Sequence, residues 1–301
     1  HFPASKAATL IGATQMFGMA GGSAGQFAVG PAISGGLAWD QFWWFMGLAG
    51  IPIAVLLFLY IPRQEAKPAQ PGAQSNWLKS AGTAMWAVFR NPQSIICGLI
   101  SGLLFIPTTI FDMVWGVRFL QEGHGMPYDV AVLRSAAVPF GWIIGCPLLG
   151  WISDRIGRRK PVIAIAAAAL LGAMALGLYG PPGLLPPYTI ALMAGIASGA
   201  AMIPYTVIKE ANRPEHSGTA TGVINFINFS FSALLGPIFA ARLMHISGGG
   251  DRELGDYQAT FMPMLFGIAL AILLTFLLRE TGPKARGTKE APTLGAGLPA
   301  Q

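Results

Sequence analysis

The chain of 301 residues is 53% hydrophobic and only 11% charged, with a formal net charge of +6. Soluble domains carry about a quarter charged residues, so an ordinary soluble fold is excluded, and the apolar content excludes intrinsic disorder. The 39 glycines follow no triplet, and two cysteines are too few for a disulfide scaffold or a multi-cysteine metal site. What remains is an all-α, polytopic membrane protein.

A helix needs about 20 mainly apolar residues to cross the hydrocarbon core. Such runs lie at about 10–36, 42–61, 93–119, 130–152, 161–180, 188–208, 219–244 and 257–278. They lack period-two alternation and exceed the roughly ten residues of a barrel strand, so eight helices are expected. The chain begins at His1 and shows no basic n-region or small-residue cleavage site of a signal peptide. A fragment without its N-terminal portion is expected.

The first run is uncharged from Leu10 to Trp39. Its Gly21, Gly22, Ser23, Ala24 and Gly25 match G-x-S-x-G, but that nucleophile pattern needs a strand-turn-helix elbow and a His/Asp pair. Gly18/Gly22 and Gly21/Gly25, one turn apart, suit helix contact instead. Trp43, Trp44, Trp77 and Tyr188 near the run ends read as interfacial aromatics. Between the second and third runs, residues 62–92 are rich in Pro and Gln and read as a linker, with a short amphipathic helix expected near 76–89.

The third run holds Asp112, the deepest charge, beyond a Pro107 that can bend the helix. Intramembrane acids are costly and face a cavity or a partner, so Asp112 either binds a cationic group, carries a coupling proton or forms a static pair. Trp115, three residues on, is expected to share its face. Arg134 lies one turn inside the fourth run. It either snorkels outward or turns inward to meet an anionic solute or Asp112. Ser198 and Tyr205 in the sixth run are seven apart. Asn225, Asn228 and Ser232 in the seventh share one helix face, where polar residues either line a pore or glue helices. Cys97 and Cys146 read as small apolar residues. The four His are scattered with no H-E-x-x-H, so no metal site or cofactor is expected.

Charge orients the spans. With Lys6 cytoplasmic, alternating loops place fifteen of the 19 basic residues on that side, leaving Arg118, Arg134, Arg242 and Arg252 outside with Asp40, Glu122, Asp129, Asp251, Glu253 and Asp256. This is the positive-inside asymmetry, so the net charge reflects a lipid bilayer and not a nucleic-acid partner. A weak repeat supports a larger architecture: Gly12-Ala13-Thr14 with Gly30-Pro31 maps onto Gly218-Thr219-Ala220 with Gly236-Pro237, six spans on. Transporters are commonly built from repeated bundles.

The loop after the fourth run carries Gly150, Asp154, Arg155, Gly157, Arg158 and Arg159. This pattern resembles the cytoplasmic signature of the major facilitator superfamily. Gly25, Gly30, Pro31, Gly35 and Gly36 resemble the glycine-proline helix-packing motif of that family's fifth helix. The resemblance covers essentially the whole chain and implies helices five to twelve of twelve. On it, 1–61 is the end of the N-terminal six-helix half, 62–92 the cytoplasmic interdomain linker, 93–280 the C-terminal half and 281–301 a cytoplasmic tail. The four preceding helices would be the missing partner. The loop then implies a conformational latch, cytoplasmic at 153–160, in a bacterial-type inner membrane. The implied function is secondary active transport of a small polar or anionic solute by alternating access, with H+ as coupling ion. No G-x-x-x-x-G-K-[ST] loop is present, so a gradient would supply the energy. Residues 114–116 and 145–160 resemble the sugar-phosphate/organic-anion permease branch. The rival reading is a multi-span membrane enzyme or an intramembrane sensor, but no convergent acid, nucleophile or metal set supports an enzyme.

Overall fold

A computed structural model describes residues 6–60, 77–181 and 183–287. Helix α1 spans Ala7–Ser34, α2 Trp39–Tyr60 and α3 Trp77–Phe89. Helix α4, Pro92–Ile106, runs on through the wider π-type turns Pro107–Gly116 and Phe119–Gly123. Helices α5 (Tyr128–Ser135) and α6 (Ala137–Ile156) form one span, followed by α7, Lys160–Tyr179. The next span is α8 (Thr189–Ser198), a 3-10 turn Gly199–Met202 and α9 (Ile203–Glu210). Helices α10 (Ser217–Ile246), α11 (Leu254–Leu277) and the short α12 (Pro283–Gly287) complete the order.

Seven of the described helical runs are long and apolar enough to cross a membrane, where the sequence reading expects eight. The difference is α1. It is 28 residues long, but its Gly, Ser, Thr and Gln residues dilute its apolar character. The expected run ends otherwise agree with the helices to within a few residues. Span architecture follows from lipid, which offers no partner for backbone N–H and C=O groups and so favours helices that pair them internally.

The core is made by α4, α6, α7, α9, α10 and α11, with Trp142, Ile100, Leu104, Ile163, Leu170 and Phe261 fully buried. Helix α1 lies along α6 at very close range: a Cβ at Gly12 would collide with the Cys146 carbonyl, and one at Gly150 with the Ala8 carbonyl. Only glycine admits that approach. Helix α2 buries none of its residues, so its apolar surface calls for lipid or protein cover. The amphipathic helix expected near 76–89 is α3, which packs on α10 and α4.

Because α6 and α7 run antiparallel through one bundle, Asp154 and Arg159 share one end. Ser135, Asp112 and residues 180–181 and 183–188 share the other.

Candidate functional site

The end that holds Asp154 is an ion-pair network closing on two helix N-termini. The Asp154 carboxylate accepts from the backbone N–H of Thr9 at 2.8 Å, the Thr9 hydroxyl at 2.7 Å and, more weakly, the Ala8 N–H at 3.4 Å. These are the unpaired first-turn donors of α1, and a carboxylate there is favoured by the helix dipole. Arg159 binds the other oxygen of Asp154 at 2.6 Å and Glu210 at 3.0 Å. The Arg159 side chain is fully buried. Burial works against its charge, but the hydrogen bonds and charges of Glu210 and Asp154 outweigh it and hold its pKa above the ordinary arginine value.

Glu210 also accepts from the Thr281 hydroxyl at 2.6 Å. Glu280 accepts from the backbone N–H groups of Arg159 and Lys160, at 2.7 and 3.2 Å, where α7 begins. Gly157 ends α6 in the left-handed region, φ 72°, which brings Arg159 back beneath Asp154. Two arginines of the motif stand outside this network: Arg155 is exposed and lies over the Trp151 ring at 5.1 Å, and Arg158 is exposed. Sequence reasoning missed Glu210, Glu280, Thr9 and Thr281. Glu210 and Glu280 were visible as rare acids among the clustered basic residues at the ends of apolar runs.

A second polar group forms a seam inside the bundle. The Tyr205 hydroxyl donates to Asn225 at 2.6 Å, and the Asn228 amide donates to Tyr205 and to Ser101, both at 3.0 Å. Ser101 donates in turn to the Ala201 carbonyl at 2.8 Å. Ser232 and Thr109 share a hydrogen bond at 3.1 Å. Asn225, Asn228 and Ser232 therefore hold α10 to α4 and α9. Asn225 and Ser232 remain half-buried while Asn228 is buried.

The third group lines a cavity of about 210 Å³ at the end opposite Asp154, between α5, α6, α7, α8, the π-type extension of α4 and residues 180–181 and 183–188. Asp112 is 6% exposed and one of its carboxylate oxygens accepts from the Ser135 hydroxyl at 2.9 Å, while the other has no partner. Arg134 turns inward to the same cavity, yet makes no ion pair with Asp112, and its Nε is buried without a partner. Ser198 lines it too, with an unpaired hydroxyl. His124 lies on its rim, where burial and then the Arg134 charge push the imidazole pKa below its usual 6.5.

Asp112 and Trp115, expected on one face, part company here. Trp115 does not share the Asp112 cavity, because the π-type winding of Pro107–Gly116 breaks the three-residue spacing of an α-helix. It lies instead beneath the Arg118 and Arg252 guanidinium groups, at 5.9 and 5.6 Å. Arg252 also pairs with Glu122 at 3.6 Å, and Glu122 accepts from the Tyr257 hydroxyl. Of the two candidates in the sixth run, Ser198 lies at the cavity and Tyr205 at the seam, with a 3-10 turn between them.

Of the expected packing glycines, Gly25 has open space where a Cβ would stand, and Gly36 takes φ 101° between α1 and α2. Gly35 is exposed, while the surroundings of Gly30 and Pro31 lie outside the described residues. Ser23 sits within α1, with no strand-turn-helix elbow around it.

A family model of the Major Facilitator Superfamily matches residues 1–237. Among curated relatives, an MFS-type efflux pump of Mycolicibacterium smegmatis is 24% identical over 71% of this chain and 50% of its own length. A facilitated glucose transporter protein of Caenorhabditis elegans is 30% identical over 51% of this chain and 29% of its own. A probable inositol transporter of Arabidopsis thaliana is 26% identical over 62% of this chain and 28% of its own. The chain thus spans half or less of the length of each of these relatives. With most of its length matched and a helical membrane architecture to accompany the match, the chain belongs to the Major Facilitator Superfamily.

Proposed function

We propose that this chain supplies part of a secondary carrier that moves a small polar or anionic solute across a membrane by alternating access. The observation that carries the reading is the Asp154 network. One carboxylate caps α1 and holds Arg159, which in turn holds Glu210 at the end of α9. Such a contact holds one arrangement of two bundles and releases another when broken. On the family mapping, α1 and α2 belong to one half, 62–92 to the linker, and 93–280 to the other half. The Asp154 end is cytoplasmic by its basic residues.

Within the second half, Asn225, Ser232 and Tyr205 offer half-buried or buried hydrogen-bonding groups for the solute. Asp112 is the group assigned to the coupling proton, since one oxygen is unpaired beside a cavity. The relatives named for glucose and inositol transport favour a hydroxylated solute for this chain, and the relative named as an efflux pump favours export as the second direction.

The test is solute flux by the complete polypeptide in proteoliposomes, with and without a pH gradient. Gradient-driven uptake or efflux of one member of a panel of sugars, polyols and organic anions is expected, and Asp112→Asn should uncouple it from the gradient. Absence of gradient-sensitive flux across the panel counts against the carrier. Coupled transport by Asp112→Asn removes that residue from the mechanism.

A further inference from the structure

The transport reading takes only Asp112 from the cavity at the end opposite Asp154 and leaves its apolar walls unused. The walls are predominantly apolar, formed by Phe111, Phe119, Leu120, Met126, Leu176 and Ile190. Three residues of the lining, Asp112, Arg134 and Ser198, each carry a buried polar atom without a partner: Asp112 Oδ2, Arg134 Nε and Ser198 Oγ. Asp112 and Ser198 are 6% and 1% exposed. A buried carboxylate oxygen or guanidinium N–H left unpaired is costly, so these atoms are poised to be satisfied by an occupant.

Size and charge narrow the occupant. A dry apolar cavity of about 150 Å³ already takes up benzene, so 210 Å³ admits one ring with a small substituent. The acid and the arginine oppose each other's sign: a cation meets Arg134 and an anion meets Asp112. A neutral hydroxyl suits both, since it donates to the carboxylate and accepts from the N–H. A polyhydroxylated sugar has more hydroxyls than the three unpaired atoms can satisfy and would bury the rest against apolar walls. A second space of about 390 Å³, lined by Arg134 and residues 183–187, shares these residues with the cavity.

We propose that this cavity is a binding site for a neutral, single-ring amphiphile carrying one hydroxyl group, separate from the polar seam of Asn225, Asn228 and Tyr205. The site is contained within this chain. Its occupancy is measured without a gradient, so it stands or falls apart from transport.

The test is equilibrium binding of phenol to the chain in lipid nanodiscs, followed by ligand-observed NMR. Benzene, benzoate, phenyltrimethylammonium and D-glucose serve as comparators. Saturable phenol binding is expected, at least tenfold tighter than either charged ring and than glucose. Ala194→Leu, which fills the cavity, should weaken phenol binding at least thirtyfold, and Ala191→Leu replaces it if the first variant does not fold. Arg134→Gln should weaken phenol about tenfold and leave benzene unchanged. Absence of saturable phenol binding by the folded chain overturns the proposal, as does unaltered binding by the folded cavity-filling variant. Tighter binding of benzoate or of phenyltrimethylammonium overturns the neutral-ligand assignment.

Discussion

Arg159 is buried among carboxylates that each do a second job, so its removal does more than delete one ion pair. Without it, Asp154 and Glu210 face each other's charge with no cation between them. Losing one partner of a buried pair costs about 3–5 kcal/mol. Arg159→Met should therefore lower the unfolding free energy of the detergent-solubilised chain by about that amount, read by chemical denaturation. Arg155→Gln should change it little, because Arg155 is exposed on the Trp151 ring. His124 supplies a pH signature of its own. Burial and then Arg134 hold its pKa below 6.5, so the unfolded chain binds the proton more readily. Its contribution is fully present above the free-imidazole range, about 6.5, and is lost as pH falls from there through the lower folded pKa. His124→Gln should flatten that part of the stability profile in a pH series of thermal melts.

Between elements, the decisive contacts are those where two helices approach at a glycine or share a buried amide. Gly12→Val puts a side chain into the Cys146 backbone, and overpacking of this kind costs about 1–3 kcal/mol. The same substitution at Gly25 meets open space within this chain and should leave its melting temperature unchanged. Asn228→Leu removes the N–H donor from which both Ser101 and Tyr205 accept and should cost about 1–3 kcal/mol, while Phe226→Leu on the exposed face of α10 should not.

These element contacts also show what was legible beforehand. Run length and hydropathy located nearly every span, because a lipid solvent imposes both. The Asp154 motif was legible since Asp154, Gly157 and Arg159 lie close together in sequence where α6 ends and α7 begins. The partners Thr9, Glu210 and Glu280 were not, because they come from distant segments and only folding brings them there. Trp115 was misplaced beside Asp112 for another reason. Periodicity assumes 3.6 residues per turn, and the π-type segment at 107–116 does not keep it.

At the scale of the whole molecule, the proposed carrier makes the Asp154 contact the place where a shift between bundles is felt. Asp154 holds the start of α1, and its hydrogen bonds to Thr9 are made by a charged acceptor to helix N-terminal donors. Hydrogen bonds to charged groups contribute about 1.5–3 kcal/mol each. Every 1.4 kcal/mol is roughly a factor of ten in an equilibrium, so losing even one moves the balance by at least about tenfold. Lys6 and Arg158 are exposed on the two sides of this contact, and both native cysteines are buried, so spin labels at 6 and 158 report on it directly. Pulsed electron-resonance distances should show one short population in the unaltered protein. Asp154→Asn should add a longer one, because the neutral amide gives up its pairing with Arg159 and weakens its hold on α1. Arg155→Gln, outside the network, should leave the distribution unchanged. If Asp154→Asn also leaves it unchanged, the contact is a static anchor and the latch reading fails.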